Sequence, residues 1–150
     1  MRSDAQFLVM DAFLDTSVLV ATFYGEHEHH DPSIRVFLGQ EKSTGCTAAH
    51  CLAETYSVVT GMPGKDRASP HEALLFLNDV RERLTLVALD ETEYFAVLES
   101  AAADGVARGT TYDALIARCA LKADAQILYT WNTKHFARLG ERVASRLKQP

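Results

Sequence analysis

A chain of 150 residues has the length of one domain and can bury about two-thirds of the surface its unfolded form exposes. With 47% hydrophobic and 23% charged residues it sits among ordinary globular proteins, which excludes the disordered classes. A formal net charge of −5 lacks the basic signature of a module that coats nucleic acid, although carboxylates that hold cations would supply positive charge locally.

Residues 7–14 have strand character, divided by Asp11, and the apolar run stops on Asp15 before restarting with helical spacing at Val18, Leu19, Ala21 and Phe23. Asp11 and Asp15 would stand roughly 13 Å apart along a strand, too far to share a small ion. The helix ends near Gly25, and a polar run from Glu26 through His27, His29 and His30 to Pro32 follows. Imidazoles in residues 27–31 invite a transition metal, but the composition favours a solvated loop with adventitious affinity at most. Residues 32–38 predict a second helix opened by Pro32, whose missing N–H costs nothing in a first turn.

Residues 43–48 predict a short buried strand, and 49–60 a helix whose inner face is Leu52, Tyr56 and Val59, widened by Cys51 and Val58 and closed by Gly61. After a loop over 62–69, Ser69-Pro70-His71-Glu72 opens a helix with Leu74, Leu75, Leu77 and Val80 on its inner face. Residues 84–89 form the next strand by apolar and β-branched content. Asp90 and Glu93 make a capping box for a helix running towards Gly105. Thr110 to Asp113 then begin the most apolar helix, through Leu121. Residues 125–130 are a strand, 132–139 a short helix, and 142–145 a candidate edge strand.

This alternation of strand and helix predicts a three-layer α/β fold with a mainly parallel sheet. In such sheets the ligand crevice lies outside the carboxyl ends of the strands, which is where Asp15 is delivered. Glu54 and Asp113, both acids in apolar surroundings, can join it. Two unit charges 4 Å apart repel by roughly 4 kcal/mol at an effective dielectric near 20, so three converging carboxylates call for a divalent cation. Oxygen-only ligands of this kind suit Mg²⁺ or Mn²⁺, completed by water and phosphate oxygens.

Four stretches, Leu14-Asp15-Thr16-Ser17-Val18-Leu19, Ala53-Glu54, Tyr112-Asp113-Ala114-Leu115-Ile116-Ala117 and Thr130-Trp131-Asn132-Thr133-Lys134-His135-Phe136, together resemble the PIN-domain ribonucleases, especially VapC-type toxins. The resemblance covers nearly the whole chain. It implies a single PIN-like α/β/α domain over residues 1–150 with a sheet of four to five strands. It further implies a Mg²⁺- or Mn²⁺-dependent endoribonuclease, inhibited by a cognate antitoxin and working as a homodimer. Asp15 and Asp113 would be the metal ligands, and Glu54 would complete the catalytic set. The family's usual fourth acid is matched by Asn132, a neutral amide, which weakens a second metal position.

Thr130 and Ser17 are expected to orient these carboxylates or their waters. Arg108 and Lys134, with Lys65, Arg67 and Arg138 behind them, are candidates for RNA phosphates, against the plainer reading of solvated surface charge. The plainer readings of the acids are a helix cap for Asp113, a half-solvated carboxylate for Glu54 and a turn or cap for Asp15. Asp124 precedes its strand and belongs at the opposite edge of the sheet. A catalytically weak PIN-like module that binds protein or RNA is the competing function, suggested by Asn132 and the missing basic surface.

Cys46, Cys51 and Cys119 are odd in number and without CxxC spacing, which predicts reduced thiols and a cytoplasmic setting. No stretch approaches the roughly 18 apolar residues of a membrane span. A phosphatase built on paired strand-end aspartates would need an acid at position 17, where Ser17 stands. Neither GxGxxG nor GxxxxGK occurs.

Overall fold

The computed structural model describes residues 9–150. Its elements alternate as the pattern requires: β1 (Ala12–Leu14), α1 (Thr16–Phe23), α2 (His30–Leu38), β2 (Gly45–Ala48), α3 (Ala49–Thr60), α4 (Pro70–Arg83), β3 (Thr85–Val87), α5 (Glu91–Ala103), α6 (Thr110–Lys122), β4 (Ile127–Tyr129), α7 (Thr133–Ala137), α8 (Glu141–Ala144) and β5 (Leu147–Lys148). The first two residues of the strand expected at 7–14 lie outside the described residues.

All strand pairings are parallel, and the sheet order is β3-β2-β1-β4-β5. The chain therefore walks from β1 outward to β3, then crosses back to β4 and β5. Parallel crossovers are right-handed, so the reversal sends α1–α4 to one face and α5–α8 to the other, in keeping with the contacts of α1 with α2 and α3 and of α6 with α5, α7 and α8. The expected three-layer α/β/α fold with a parallel sheet is the one observed. The reversal also creates a switch point between β1 and β4, where adjacent crossovers diverge and a crevice opens at the carboxyl ends of both strands.

The core is built on β1, whose three residues are all buried, together with Val18, Leu19, Cys46, Leu84, Ile116, Leu128 and Phe136. Fully burying such side chains contributes about 1.5–3 kcal/mol each. Helix α1 is apolar almost all round because it lies under α2 and α3 as well as against the sheet. Its buried Thr22 hydroxyl donates to the Val18 carbonyl at 2.8 Å, so burial leaves it satisfied. The capping boxes at Ser69/Glu72 and Asp90/Glu93 both form. The three cysteines are free and buried, and burial pushes the Cys46 and Cys51 thiols up to about 12.

Four expectations are corrected. The inner face of α3 is Cys51, Thr55 and Val59, while Tyr56 and Val58 point outward, because the i, i+4, i+8 row sets the buried stripe. On α4 the buried residues are Ala73 and Val80, and Leu74 and Leu75 are exposed. Residues 142–145 belong mostly to the short helix α8 rather than to a strand; the edge strand comes later, at Leu147–Lys148. Gly140, at φ +108°, makes the turn into α8. Helix α2 also begins two residues before Pro32, drawing the end of the His-rich run into its first turn.

Candidate active site

Asp15 directly follows β1, and Thr130 directly follows β4, its registered neighbour through Leu14 and Tyr129. Backbone pairing continues across the gap, since the Asp15 amide donates to the Tyr129 carbonyl at 3.0 Å. Both side chains thus stand at the switch point, and both are buried, Asp15 to 3% exposure.

The Thr130 hydroxyl donates to Asp15 Oδ2 at 2.8 Å and accepts the Asn132 amide at 2.9 Å. The Ser17 hydroxyl donates to the same Oδ2 at 2.9 Å and accepts the Trp131 amide at 3.0 Å. Each hydroxyl has one proton, so the pair spend both on Asp15 and their own 3.3 Å approach is a contact without a shared proton. The Ser17 amide adds a longer bond to Oδ2 at 3.4 Å, which makes Asp15 the N-cap of α1. This is a cradle for an ionised carboxylate. Burial pushes its pKa up, and the Thr130 and Ser17 hydrogen bonds pull it back down in part. The Thr130 and Ser17 hydroxyls both bond to Oδ2 of the carboxylate.

Glu54 comes from α3 on the same side of the sheet. Its Oε1 accepts the Thr16 hydroxyl at 2.7 Å, which ties the second acid to the residue after the first. His50, one turn earlier on α3, places Nε2 3.4 Å from Oε2, yet that buried nitrogen makes no hydrogen bond among the described residues. Tyr112 stacks on the His50 ring with centroids 5.4 Å apart.

Asp113 lies one turn into α6, on the opposite helical layer. It does not cap that helix: Gly109 is the N-cap, and no side chain bonds there. Burial pushes its carboxyl up to about 6, with the charges of Asp15 and then Glu54 adding to the shift and His135 opposing it. Two acids from other elements thus act on Asp113. Asp15, Glu54 and Asp113 line one crevice of about 630 Å³ with Ser17, Asn132 and Trp131.

Asn132 lies on that crevice wall and is exposed; its backbone carbonyl accepts the His135 and Phe136 amides, while its side chain caps nothing. Arg108 and Lys134 are exposed and do not line the crevice. Asp124 pairs with Arg146 at 3.3 Å ahead of β4, away from the acids. His27 and His29 line the crevice, so the His-rich run is part of the site's wall rather than a detached solvated loop. Trp131, which the sequence offers only as one letter of the Thr130–Phe136 stretch and without a role of its own, also lines the crevice.

Among the described residues no three His, Cys, Asp or Glu side chains form a ready-made metal cluster. The donor set nevertheless fits Mg²⁺ or Mn²⁺, which take one or two carboxylates and fill the remaining positions with water and phosphate oxygens. The Asp113 carboxyl is pushed up by burial first and then by the charges of Asp15 and Glu54, both of which a bound cation would offset.

The PIN domain family model matches residues 12–142. "Ribonuclease VapC40" of Mycobacterium tuberculosis is 36% identical over 115 residues, covering 76% of this chain and 81% of that protein. Among solved structures, M. tuberculosis VapC20, described as a Sarcin-Ricin loop cleaving toxin, superposes with a TM-score of 0.68 at 16% identity, covering 85% of this chain and 94% of the other. A chain of VapBC2 from Rickettsia felis, bound to a DNA fragment from its promoter, gives 0.63 at 19% identity over 93% and 98% of the two chains. At those identities the superpositions bear on the fold. Together, the match of the family model over most of the sequence and the similarity to VapC40 show that the chain belongs to the PIN domain family.

Proposed function

We propose that the protein is a metal-dependent endoribonuclease of the VapC toxin type, hydrolysing RNA phosphodiester bonds. The carrying observation is the meeting of Asp15, Glu54 and Asp113 at one crevice over the β1/β4 switch point. The named ribonuclease function of VapC40 supports it.

Asp15 and Asp113 would hold the ion, from opposite helical layers, with Glu54 facing them from α3. Mg²⁺ or Mn²⁺, when bound, supplies Lewis-acid chemistry: it acidifies water and screens the anionic phosphodiester. Ser17 and Thr130 fix the Asp15 carboxylate before substrate arrives, so no reorganisation is needed during reaction. Glu54, steadied by the Thr16 hydroxyl, would accept a proton from the attacking water or orient it. Asn132 offers a carbonyl oxygen without charge where an acid is usual, consistent with a weak or absent second ion.

RNA is the substrate, a cognate antitoxin the inhibitory partner and a homodimer the working form in this reading. The likeness to a chain of the Rickettsia felis VapBC2 structure supports an antitoxin as the partner. A basic antitoxin side chain entering the crevice would take the place of the cation's charge. The reduced, buried thiols suit a cytoplasmic protein, and no helix among the described residues is long and apolar enough to cross a membrane.

The competing reading, a PIN-like module that binds without cutting, draws on the absence of a three-ligand cluster among the described residues and on Asn132. RNA cleavage with Mg²⁺ or Mn²⁺, with and without EDTA, separates the two. Wild type should cleave in a chelator-sensitive way and Asp15→Asn should not; equal background from both would leave the binding module.

A further inference from the structure

The wall of the crevice beside Asp15 is aromatic. The Trp131 indole and the His29 imidazole stack with centroids 3.7 Å apart and planes 8° from parallel. The indole is pinned from behind, where its Nε1–H donates to the hydroxyl of the fully buried Ser33 at 2.8 Å. The Trp131 backbone is pinned in front through the Ser17 hydroxyl, which also holds Asp15. His29 is set by its amide, which donates to His27 Nδ1 at 3.0 Å, and by Glu28, 3.0 Å from Nε2. Its side chain remains 36% exposed, and His29 and Trp131 both line the crevice.

We propose that the His29–Trp131 stack is a nucleobase subsite, which receives the base of a nucleotide adjoining the scissile phosphate while that phosphate lies over Asp15, Glu54 and Asp113. This assignment rests on the nuclease reading of the same crevice and adds to it a means of gripping the RNA. The geometry suits a nucleotide, which carries a flat neutral base and an anionic phosphate on two sides of one sugar. An acidic peptide is disfavoured by the three carboxylates, and an aliphatic side chain gains little from two parallel rings. Stacking is available to every base, so the subsite gives affinity and register more than sequence readout, with a preference for the larger purine face. It also supplies a contact to single-stranded RNA that uses no positive charge, which a chain with a net charge of −5 has reason to need.

Trp131 is the single tryptophan, so its emission reads the stack without any chemistry. In Asp15→Asn protein with Mg²⁺, a short single-stranded RNA should quench that emission with the affinity seen by anisotropy of the labelled RNA. Scanning an abasic nucleotide through the oligonucleotide should remove quenching at one or two adjacent positions. Adding His29→Ala should weaken binding about 5- to 150-fold, from the usual range of base–aromatic stacking, and His29→Phe should restore it. In the active enzyme, His29→Ala should raise KM far more than it lowers kcat.

RNA that fails to bind, RNA that binds while the emission stays unmoved, or a His29→Ala variant that binds as tightly as its parent overturns the subsite. Quenching by an arginine-rich peptide and not by RNA also overturns it, and assigns the stack to a protein partner. RNA-dependent quenching without cleavage by wild type removes the nuclease reading and leaves the subsite standing. Chelator-sensitive cleavage with emission blind to RNA does the reverse.

Discussion

At the scale of single residues, the site is governed by the cost of gathering negative charge. Asp113, with its carboxyl near pH 6 in the folded chain, binds its proton more tightly folded than unfolded. Its stabilising contribution is therefore complete below the ordinary carboxylate range and is lost as pH rises through about 6. Asp113→Asn should leave the metal-free melting temperature unchanged or higher, and should abolish the rise produced by Mg²⁺; a clear fall without metal would give Asp113 a structural duty instead. In wild type the Mg²⁺-induced rise should itself grow between pH 5 and about pH 7, as proton and cation compete for one carboxylate, and thermal melts across that range measure it. Thr130→Val tests the cradle. It deprives Asp15 of a donor and strands the Asn132 amide, so a loss of about 1–3 kcal/mol in urea melts is expected, together with weaker Mg²⁺ binding.

The elements show which parts of this were legible in the sequence. Alternating strand and helix patterns and the two capping boxes mark most boundaries, because each cap is a local contact between residues three apart. The abrupt end of an apolar strand on Asp15 likewise announces a carboxylate at a sheet edge. What the letters conceal is orientation set by neighbours. Tyr56 and Val58 satisfy a helical apolar pattern, yet α3 buries small Thr55 between Cys51 and Val59, a choice made by what packs over it. The His-rich run reads as a polar loop by composition, and only tertiary packing puts His27 and His29 on the crevice wall and His29 against Trp131. Residues 142–145 mislead because Gly140 at φ +108° redirects the chain into a helix before the last strand. Close approach decides another position: a Cβ on Gly45 would lie 2.7 Å from Gln40 Cβ and 2.9 Å from Leu84 Cδ2. Gly45→Ala should accordingly cost about 1–3 kcal/mol through displacement of β2, visible as a lower denaturant midpoint with an unchanged slope.

On the scale of the whole molecule, a net charge of −5 sets how RNA should approach. A basic nucleic-acid binder that neutralises several phosphates loses about 10³- to 10⁵-fold in affinity between roughly 50 and 200 mM salt. Here the cation and the stack would carry the contact, so KM for a short oligonucleotide at fixed Mg²⁺ should change by less than about tenfold over that span. A steep rise would point to Arg108, Lys134 and their neighbours as the principal RNA contacts. The fold also joins two duties in one side chain, since Asp15 starts helix α1 as its N-cap while facing the crevice. Asparagine begins helices as well as aspartate does, whereas alanine does not. An experimenter who truncates this position to a methyl group will read unfolding and chemistry mixed in one signal; the amide alone removes the charge and keeps the helix intact.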